Sequence, residues 1–356
     1  MRDRDTDDSG ARERRPDDRR SVSTIIPHVP RDHHDAPPAA DASDAAPARP
    51  RTRRPRRAPK LEAAPGGGAT VAPPRPVHEA VDAERRAYQR PPRRNDLASP
   101  TSQAVYRRVM ETLHDGGVRF LVGGAYAFTP FTGIPRSTKD FDLFVAKAEI
   151  RRALDTLAAA GFRTELTFPH WLGKAYWGHD FVDLIFSSGN GVAPVDEGWF
   201  DHAPTGKVLG VDVRIAPAEE MLWSKAFVME RERYDGGDVI HLLRSRAERL
   251  DWNRVLARFG ARWRVLLSYL VLFGFVYPGE RSRIPPWVME VLLDRLRNEL
   301  TNDAPVGRLC QGTILSRQQY LPDVLEWGYA DGRLLPNGEM SAHEIADWTA
   351  AIGTKK

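Results

Sequence analysis

Three aspartates and a pair of glycines carry the chemistry that can be read from this chain. Asp140 and Asp142 stand two residues apart in Asp140-Phe141-Asp142-Leu143-Phe144-Val145. Alternate side chains of a strand share a face, so both carboxylates project the same way, with Cα atoms roughly 6.5–7 Å apart at about 3.3 Å rise per residue. Unpaired, such neighbours repel and at least one holds its proton. A cation is expected between them. Mg²⁺ suits a few carboxylate oxygens plus substrate phosphates, and Mn²⁺ is the alternative ion. Asp183, in Phe181-Val182-Asp183-Leu184-Ile185-Phe186, is a single acid inside an apolar strand, where a charge is costly without a partner or a metal. Three acids from two strands predict a two-metal site for in-line displacement at phosphorus.

Gly123-Gly124 lies where the apolar run Val118–Val122 hands over to a helical pattern. Glycines there let backbone N–H groups approach a phosphate, and a helix N-terminus favours anions. Arg136 and Thr138, just ahead of the carboxylate pair, would add a charge and a hydroxyl beside the same phosphates. Each piece has a plainer reading. A Gly-Gly pair is usually a turn, an Asp-x-Asp pair a solvated strand end, and a strand acid a satisfied structural carboxylate. The order and spacing of all of them together point to phosphate chemistry.

On these residues the chain resembles the DNA polymerase β-like nucleotidyltransferase superfamily. Gly123-Gly124-Ala125-Tyr126-Ala127 followed by Arg136-Ser137-Thr138-Lys139-Asp140-Phe141-Asp142-Leu143 is most similar to its abortive-infection group, the toxin-like proteins of type IV toxin–antitoxin pairs. A helical lysine with later Arg and Asp is also typical of that group. Glu220-Met221-Leu222-Trp223-Ser224-Lys225, Arg231 and Asp235-Gly236-Gly237-Asp238 are similar to it. The resemblance covers roughly 118–245. It departs from the pattern in the fifteen residues between Gly124 and Asp140, and in Gly124 itself, where a serine is common.

The resemblance implies that Asp140 and Asp142 hold two Mg²⁺ ions on the triphosphate of an NTP, and that Gly123, Gly124 and Lys225 bind its phosphates. Asp183 would bind the catalytic metal and help deprotonate an acceptor hydroxyl, which attacks the α-phosphorus and expels pyrophosphate. For Lys225 the plainer reading is a helix-surface lysine, and for Asp235 and Asp238 a helix cap near Val239. The acceptor (RNA, protein or a small molecule) is not legible. Two other readings are a catalytically silent nucleotide-binding or toxin–antitoxin-type module, and a metal-dependent phosphoesterase. The intact acid triplet speaks against the first, and the glycine-to-helix cradle against the second.

These residues need a scaffold, and the periodicity supplies one. Helical spacing over Ser102–His114 precedes the strand Val118–Val122, and a helix starts in Ala125–Phe131. A strand over Phe141–Val145 places Phe141, Leu143 and Val145 on one face. Ala148–Ala160 is an amphipathic helix ended by Gly161. Strands follow at Arg163–Phe168 and Phe181–Phe186, separated by the Trp/His-rich stretch His170–Asp180, whose aromatics are read as packing in preference to base stacking. Val208–Ile215 reads as a strand or a hairpin split at Gly210. Helices are predicted over Pro217–Glu232, Asp238–Arg249, Asp251–Phe259, Trp263–Phe275 and Pro286–Leu300, with Trp223, Trp252, Trp263 and Trp287 as core. The expected fold class is α/β in the α+β sense. A small mixed β-sheet with flanking helices, the nucleotidyltransferase core over 96–216, precedes a helical C-terminal region over 217–356. Val306–Leu335 is expected to pack on the helical half.

Composition sets the limits. Residues 1–95 hold 21 Lys/Arg, 15 Asp/Glu and 15 of the 28 prolines, with Ile25 and Ile26 nearly their only large apolar residues. Such a segment cannot offset its conformational entropy, so a disordered basic tail is predicted. Taking it from the totals of 52 and 48 leaves 31 basic and 33 acidic residues, so the pI of about 9.2 belongs to the tail. That tail suits salt-sensitive contact with polyanions, although a solvated extension is the simpler reading. A single cysteine, Cys310, excludes a disulfide framework and a cysteine-based metal site. No signal peptide is visible, and the longest apolar run, Val265–Val276, is too short for a bilayer span, so no membrane partner and a cytoplasmic location are expected.

Overall fold

The computed structural model describes residues 98–136, 138, 140–301 and 307–352; the predicted tail lies outside the described residues. The described residues belong to one compact unit, Pro74–Lys356.

Helix α1 (Pro100–Asp115) begins at Ser99, whose side chain accepts from the Ser102 N–H at 3.1 Å, with Pro100 in the first turn, where its missing N–H costs nothing. Its buried stripe is Val105, Tyr106, Val109, Met110 and Leu113. Strand β1 (Leu121–Val122) runs into helix α2 (Gly124–Thr132), and strand β2 (Asp142–Phe144) is followed by helix α3 (Ile150–Ala159). Three antiparallel strands come next: β3 (Arg163–Phe168), β4 (Leu172–Trp177) and β5 (Asp180–Ile185). The sheet order is β1-β2-β5-β4-β3, with β5 returning parallel to β2 and the other pairs antiparallel. The sheet is therefore mixed.

One face of the sheet packs on α1 and α3. Phe141 stacks on Tyr106 of α1 with centroids 4.7 Å apart and lies edge-on to Tyr126. Phe141, Leu143 and Val145 are fully buried, as the alternation predicts. Strand β4 runs through the Trp/His-rich stretch, which sequence patterning left without a strand. Its inward positions are Gly173 and Ala175, and a Cβ on Gly173 would press on Ile150 and Leu154 at 3.3 Å. Helix α3 sits so close that only small residues fit, and small residues leave no apolar alternation to read.

After the short helix α4 (Glu197–Asp201), β6 (Thr205–Val208) and β7 (Val211–Arg214) form a hairpin through Leu209 and Gly210, both at positive φ. The chain leaving β7 rejoins β1, with the Ala216 N–H donating to the Val122 carbonyl at 2.9 Å. Helices α5 (Ala218–Ala226), α6 (Gly236–Arg246), α7 (Trp252–Phe259), α8 (Trp263–Val276) and α9 (Pro286–Thr301) follow. Helix α5 stops at Ala226, six residues short of the prediction, because the chain turns through 227–235 with Met229 bridging to Tyr234. One hydrophobic core runs from Val105 of α1 to Leu292 of α9 and Ile314, so both halves share it. Trp223, Trp252 and Trp263 lie in it, but Trp287 is 40% exposed, against expectation.

Together α7 and α8, Trp252–Val276, are long and apolar enough to cross a membrane by length and composition, more than the twelve-residue run suggested. Gly260, at φ 47° and ψ −122°, breaks the path between them, and Leu266, Tyr269, Leu270 and Phe273 of α8 point into the core. The C-terminal segment reaches beyond the helical half. Asn190 donates to the Ile314 carbonyl at 2.7 Å, and Trp348 of α10 (Ala342–Ala350) packs on Phe168 and Trp171.

The two halves are pinned by a buried charge cluster. Glu220 of α5 is fully buried and accepts from Arg254 at 3.0 Å and from Arg258 at 3.1 Å, both on α7, while Arg258 also binds Asp196 at the start of α4. Burial pushes the Glu220 carboxyl up, and the two guanidiniums oppose that shift. Removing the shared acid leaves each arginine with one remaining acid in a largely buried setting, Glu219 for Arg254 and Asp196 for Arg258. Glu220→Ala should therefore lower unfolding stability by about 1–3 kcal/mol in a urea titration.

Candidate functional site

Asp142 and Asp183 face each other across adjacent parallel strands. They are register partners in the β2–β5 pairing, and the Asp183 N–H donates to the Phe141 carbonyl at 2.9 Å. Strand spacing of about 4.8 Å puts both carboxylates on the face opposite α1 and α3. Asp140 lies just before β2 and is exposed. The sheet thus brings Asp142 and Asp183 together, with Asp140 two residues ahead of that pair. Burial, then the charges of Asp183 and Asp140, push the Asp142 carboxyl up to about 6, while Lys225 and Arg233 pull it down. The Tyr106 hydroxyl is likewise pushed up to about 12, by burial first and then by Tyr126, Asp180, Asp140 and Asp142.

Both glycines are required by this geometry. Gly123 lies against the Phe144 ring, 2.2 Å from where its Cβ would stand. Gly124, at φ +53°, lies against the Asp142 carboxylate, and a Cβ there would come within 1.9 Å of Asp142 Oδ2. The serine common at this position has no room. The expected phosphate role changes in part. The Gly123 N–H donates to the Asp142 carbonyl at 2.8 Å and is not available to a phosphate. The Gly124 N–H opens α2 and finds no acceptor among the described residues.

The remaining predicted ligands are already engaged. The Thr138 hydroxyl donates to the Asp140 carbonyl at 2.7 Å and accepts the Asp140 N–H at 3.1 Å, so it shapes the entry to β2 and does not point to a ligand. Arg136 pairs with Asp238 and lies over the Phe128 ring. Lys225 bridges Asp235 at 3.0 Å and Asp238 at 2.9 Å. Asp235 and Asp238 do not cap α6 with their side chains; they anchor this lysine and, through Asp235, Arg233 at 3.0 Å. Arg233, not Arg231, is the arginine whose field reaches Asp142.

Lys174 was missed altogether. It is the register partner of Asp183 on β4, and its Nζ lies 2.5 Å from Asp183 Oδ1 with both side chains largely buried. Phe181 lies under the ammonium at 4.2 Å. Recognising β4 as a strand would have placed it opposite Asp183. Among the Trp/His residues, His170 is buried, its Nε2–H donates to the Gly189 carbonyl at 3.2 Å, and burial lowers its pKa, which fits the packing reading.

Hard carboxylate oxygens in mutual repulsion fit a divalent cation at Asp140 and Asp142. Among the described residues, however, no group of three or more His, Cys, Asp or Glu side chains stands gathered to chelate one ion, and Asp183 is held by Lys174.

No protein-family model matches the sequence, and no curated protein matches it. Solved structures similar to parts of the chain include ANT(2'')-Ia in complex with adenylyl-2''-tobramycin. That match has 16% identity, 46% of this chain and 98% of that one covered, and a TM-score of 0.35. The lincosamide antibiotic adenylyltransferase LnuA with lincomycin gives 12%, 41%, 96% and 0.30. An antigenic nucleotidyltransferase-like protein from Paracoccidioides brasiliensis gives 17%, 49%, 93% and 0.31. Likeness at this level bears neither on the fold nor on the chemistry.

Two outcomes follow from the glycine–carboxylate packing. The Asp142 carboxyl has a folded value of about 6 against 3.8 for the free group, so its contribution to stability is fully present below about 4 and is lost as the pH rises through 6. Asp142→Asn should raise the Tm of the metal-free protein at pH 7 by about 3–8 °C, with the gain absent at pH 3.5 in the same thermal scans. Gly124→Ala should displace the carboxylate. We expect circular dichroism close to wild type and Mn²⁺ affinity lowered at least roughly tenfold in calorimetry, as for loss of a ligand's support.

Proposed function

We propose that the protein is a divalent-metal-dependent nucleotidyltransferase that moves an NMP from an NTP to an acceptor hydroxyl with release of pyrophosphate. The observation that carries this reading is the in-register pair Asp142 and Asp183, with Asp140 two residues upstream and Gly124 backed onto Asp142. A structural carboxylate pair would be separated or neutralised on both members; here only Asp183 has a contacting cation among the described residues, and Gly124 keeps the approach to Asp142 open. The superfamily resemblance of Gly123-Gly124 and Asp140-Phe141-Asp142 supports the same class, with the abortive-infection group as the nearest comparison.

Asp140 and Asp142 would hold the ion, Mg²⁺ by the hardness of the ligands or Mn²⁺ in its place. When bound, the ion neutralises charge on the phosphates and lowers the pKa of a coordinated hydroxyl. The chain's own residues do the rest. Gly124 offers a backbone N–H at the start of α2, where an anion is favoured. Arg233 acts on Asp142 from the helical half and is held by Asp235, while Arg136, in the loop ahead of β2, is held by Asp238. With Lys225 they form a cationic wall opposite the acids, suited to a triphosphate lying between. The acceptor oxygen bonds to the α-phosphorus as the bond to the bridging oxygen breaks, pyrophosphate leaves with that electron pair, and the hydroxyl proton passes to Asp183.

The decisive experiment incubates the protein with each α-labelled NTP, Mg²⁺ and total cellular RNA or lysate. Label should appear on a macromolecule or small product with wild type and fall at least about 10³-fold with Asp140→Ala. Nucleotide binding without transfer from any NTP would favour the silent module, and release of phosphate without pyrophosphate would favour the phosphoesterase.

A further inference from the structure

We propose that Lys174 takes the place of the second divalent ion at Asp183, so that the site works with one metal, held by Asp140 and Asp142. This rests on the nucleotidyltransferase reading and refines its ion count.

The first support is placement by backbone. Lys174 and Asp183 are directly opposed in the antiparallel β4–β5 ladder, where facing Cβ atoms lie about 4.5–5.5 Å apart. The contact is therefore set by strand register and not by the reach of a long side chain from a distant loop. The Lys174 Nζ donates to Asp183 Oδ1, a contact between two ionic groups.

The second support is the enclosure of the ammonium. Lys174 and Asp183 side chains are 12% and 13% exposed. The Phe181 ring lies 4.2 Å from Nζ and offers its negative face to the cation. Glu165 faces Lys174 from β3, but its carboxylate is well exposed and associates with Arg163 and Tyr176. Turning Lys174 away from Asp183 would forfeit both the carboxylate and the ring, with a more solvated acid as the alternative partner.

The third support is charge. A dication on the oxygen that Lys174 holds, at about 2.1 Å from it, would stand within about 4.5 Å of the ammonium in a poorly solvated pocket. Across the site, Asp140 and Asp142 have no such cation in contact among the described residues. Lys225 and Arg233 act on Asp142 only through the field, since their own contacts go to Asp235 and Asp238. Among the described residues the acids thus divide into a pair that lacks a contacting cation and a third that has one. Lys174 is a positioning residue in this scheme: it orients the Asp183 carboxylate and neutralises it without being lost on dilution of metal.

The test counts ions. Mn²⁺ is titrated into the full chain with a non-hydrolysable NTP analogue, and binding is followed by calorimetry and by electron paramagnetic resonance, which separates an isolated Mn²⁺ from a spin-coupled pair at the about 3.5–4 Å spacing of two-metal sites. Wild type should bind about one ion per chain, with the isolated signature. Lys174→Met, which keeps length and removes charge, should admit about a second ion and show coupling, and Lys174→Arg should stay at one. Asp183→Asn, which needs no new ion to fold, should leave the wild-type count unchanged. Two coupled ions in wild type, or loss of an ion in Asp183→Asn, would overturn the proposal while leaving the nucleotidyltransferase reading intact. Absence of both metal and nucleotide binding would overturn both.

Discussion

Two like charges held in register on adjacent strands are the constraint on which the rest of this structure turns. Asp142 and Asp183 are placed side by side by the parallel pairing of β2 and β5, and Asp140 adds a third acid at the strand's entry. Such an arrangement opposes folding unless the surroundings answer it. The answers lie in different parts of the chain. Gly124 gives up a side chain so that helix α2 can begin against the Asp142 carboxylate. Lys174 meets Asp183 from the neighbouring strand. Lys225 and Arg233 lend a field from the helical half, and Asp235 and Asp238 hold these cations in place.

That division of labour explains why the α/β sheet and the helices share one core. The acids come from β2, its entry and β5, and the opposing cations from α5 and the turn after it. The distance between the two sets depends on how the helices are seated. Glu220, Arg254, Arg258 and Asp196 tie α5 and α7 to the start of α4 in a buried cluster, and the chain after β7 is bonded back to β1. A boundary at 216/217 marks a change of secondary structure and not a gap in packing.

Much of the scaffold was legible because its periodicity is strong. The alternation in Phe141–Val145 predicted which side chains go inward, and the boundaries of α7, α8 and α9 follow the apolar spacing within a residue or two. Legibility failed where packing, and not pattern, sets the structure. Strand β4 has Gly173 and Ala175 where large apolar residues would be expected, since α3 lies too close for them. Trp287 sits at helical spacing yet on the outer side of α9, because spacing within a helix does not say which neighbour covers it. Helix α5 ends early because residues 227–235 turn to bring Arg233 and Asp235 beside Lys225.

The sequence by itself determined the chemical inventory: hard-oxygen acids two apart at the entry to a strand, a third acid on a buried strand, and glycines at a strand-to-helix turn. Residue type and a period of two suffice for that, since both are local properties of the chain. Only the tertiary structure decided how these groups meet. Register set Asp142 against Asp183 and Lys174 against Asp183, and backbone crowding turned Gly123 and Gly124 into spacers for Phe144 and Asp142. The acids Asp235 and Asp238 became anchors for cations in place of helix caps. Partner choice of this kind depends on contacts between residues distant in sequence, and no local pattern encodes it.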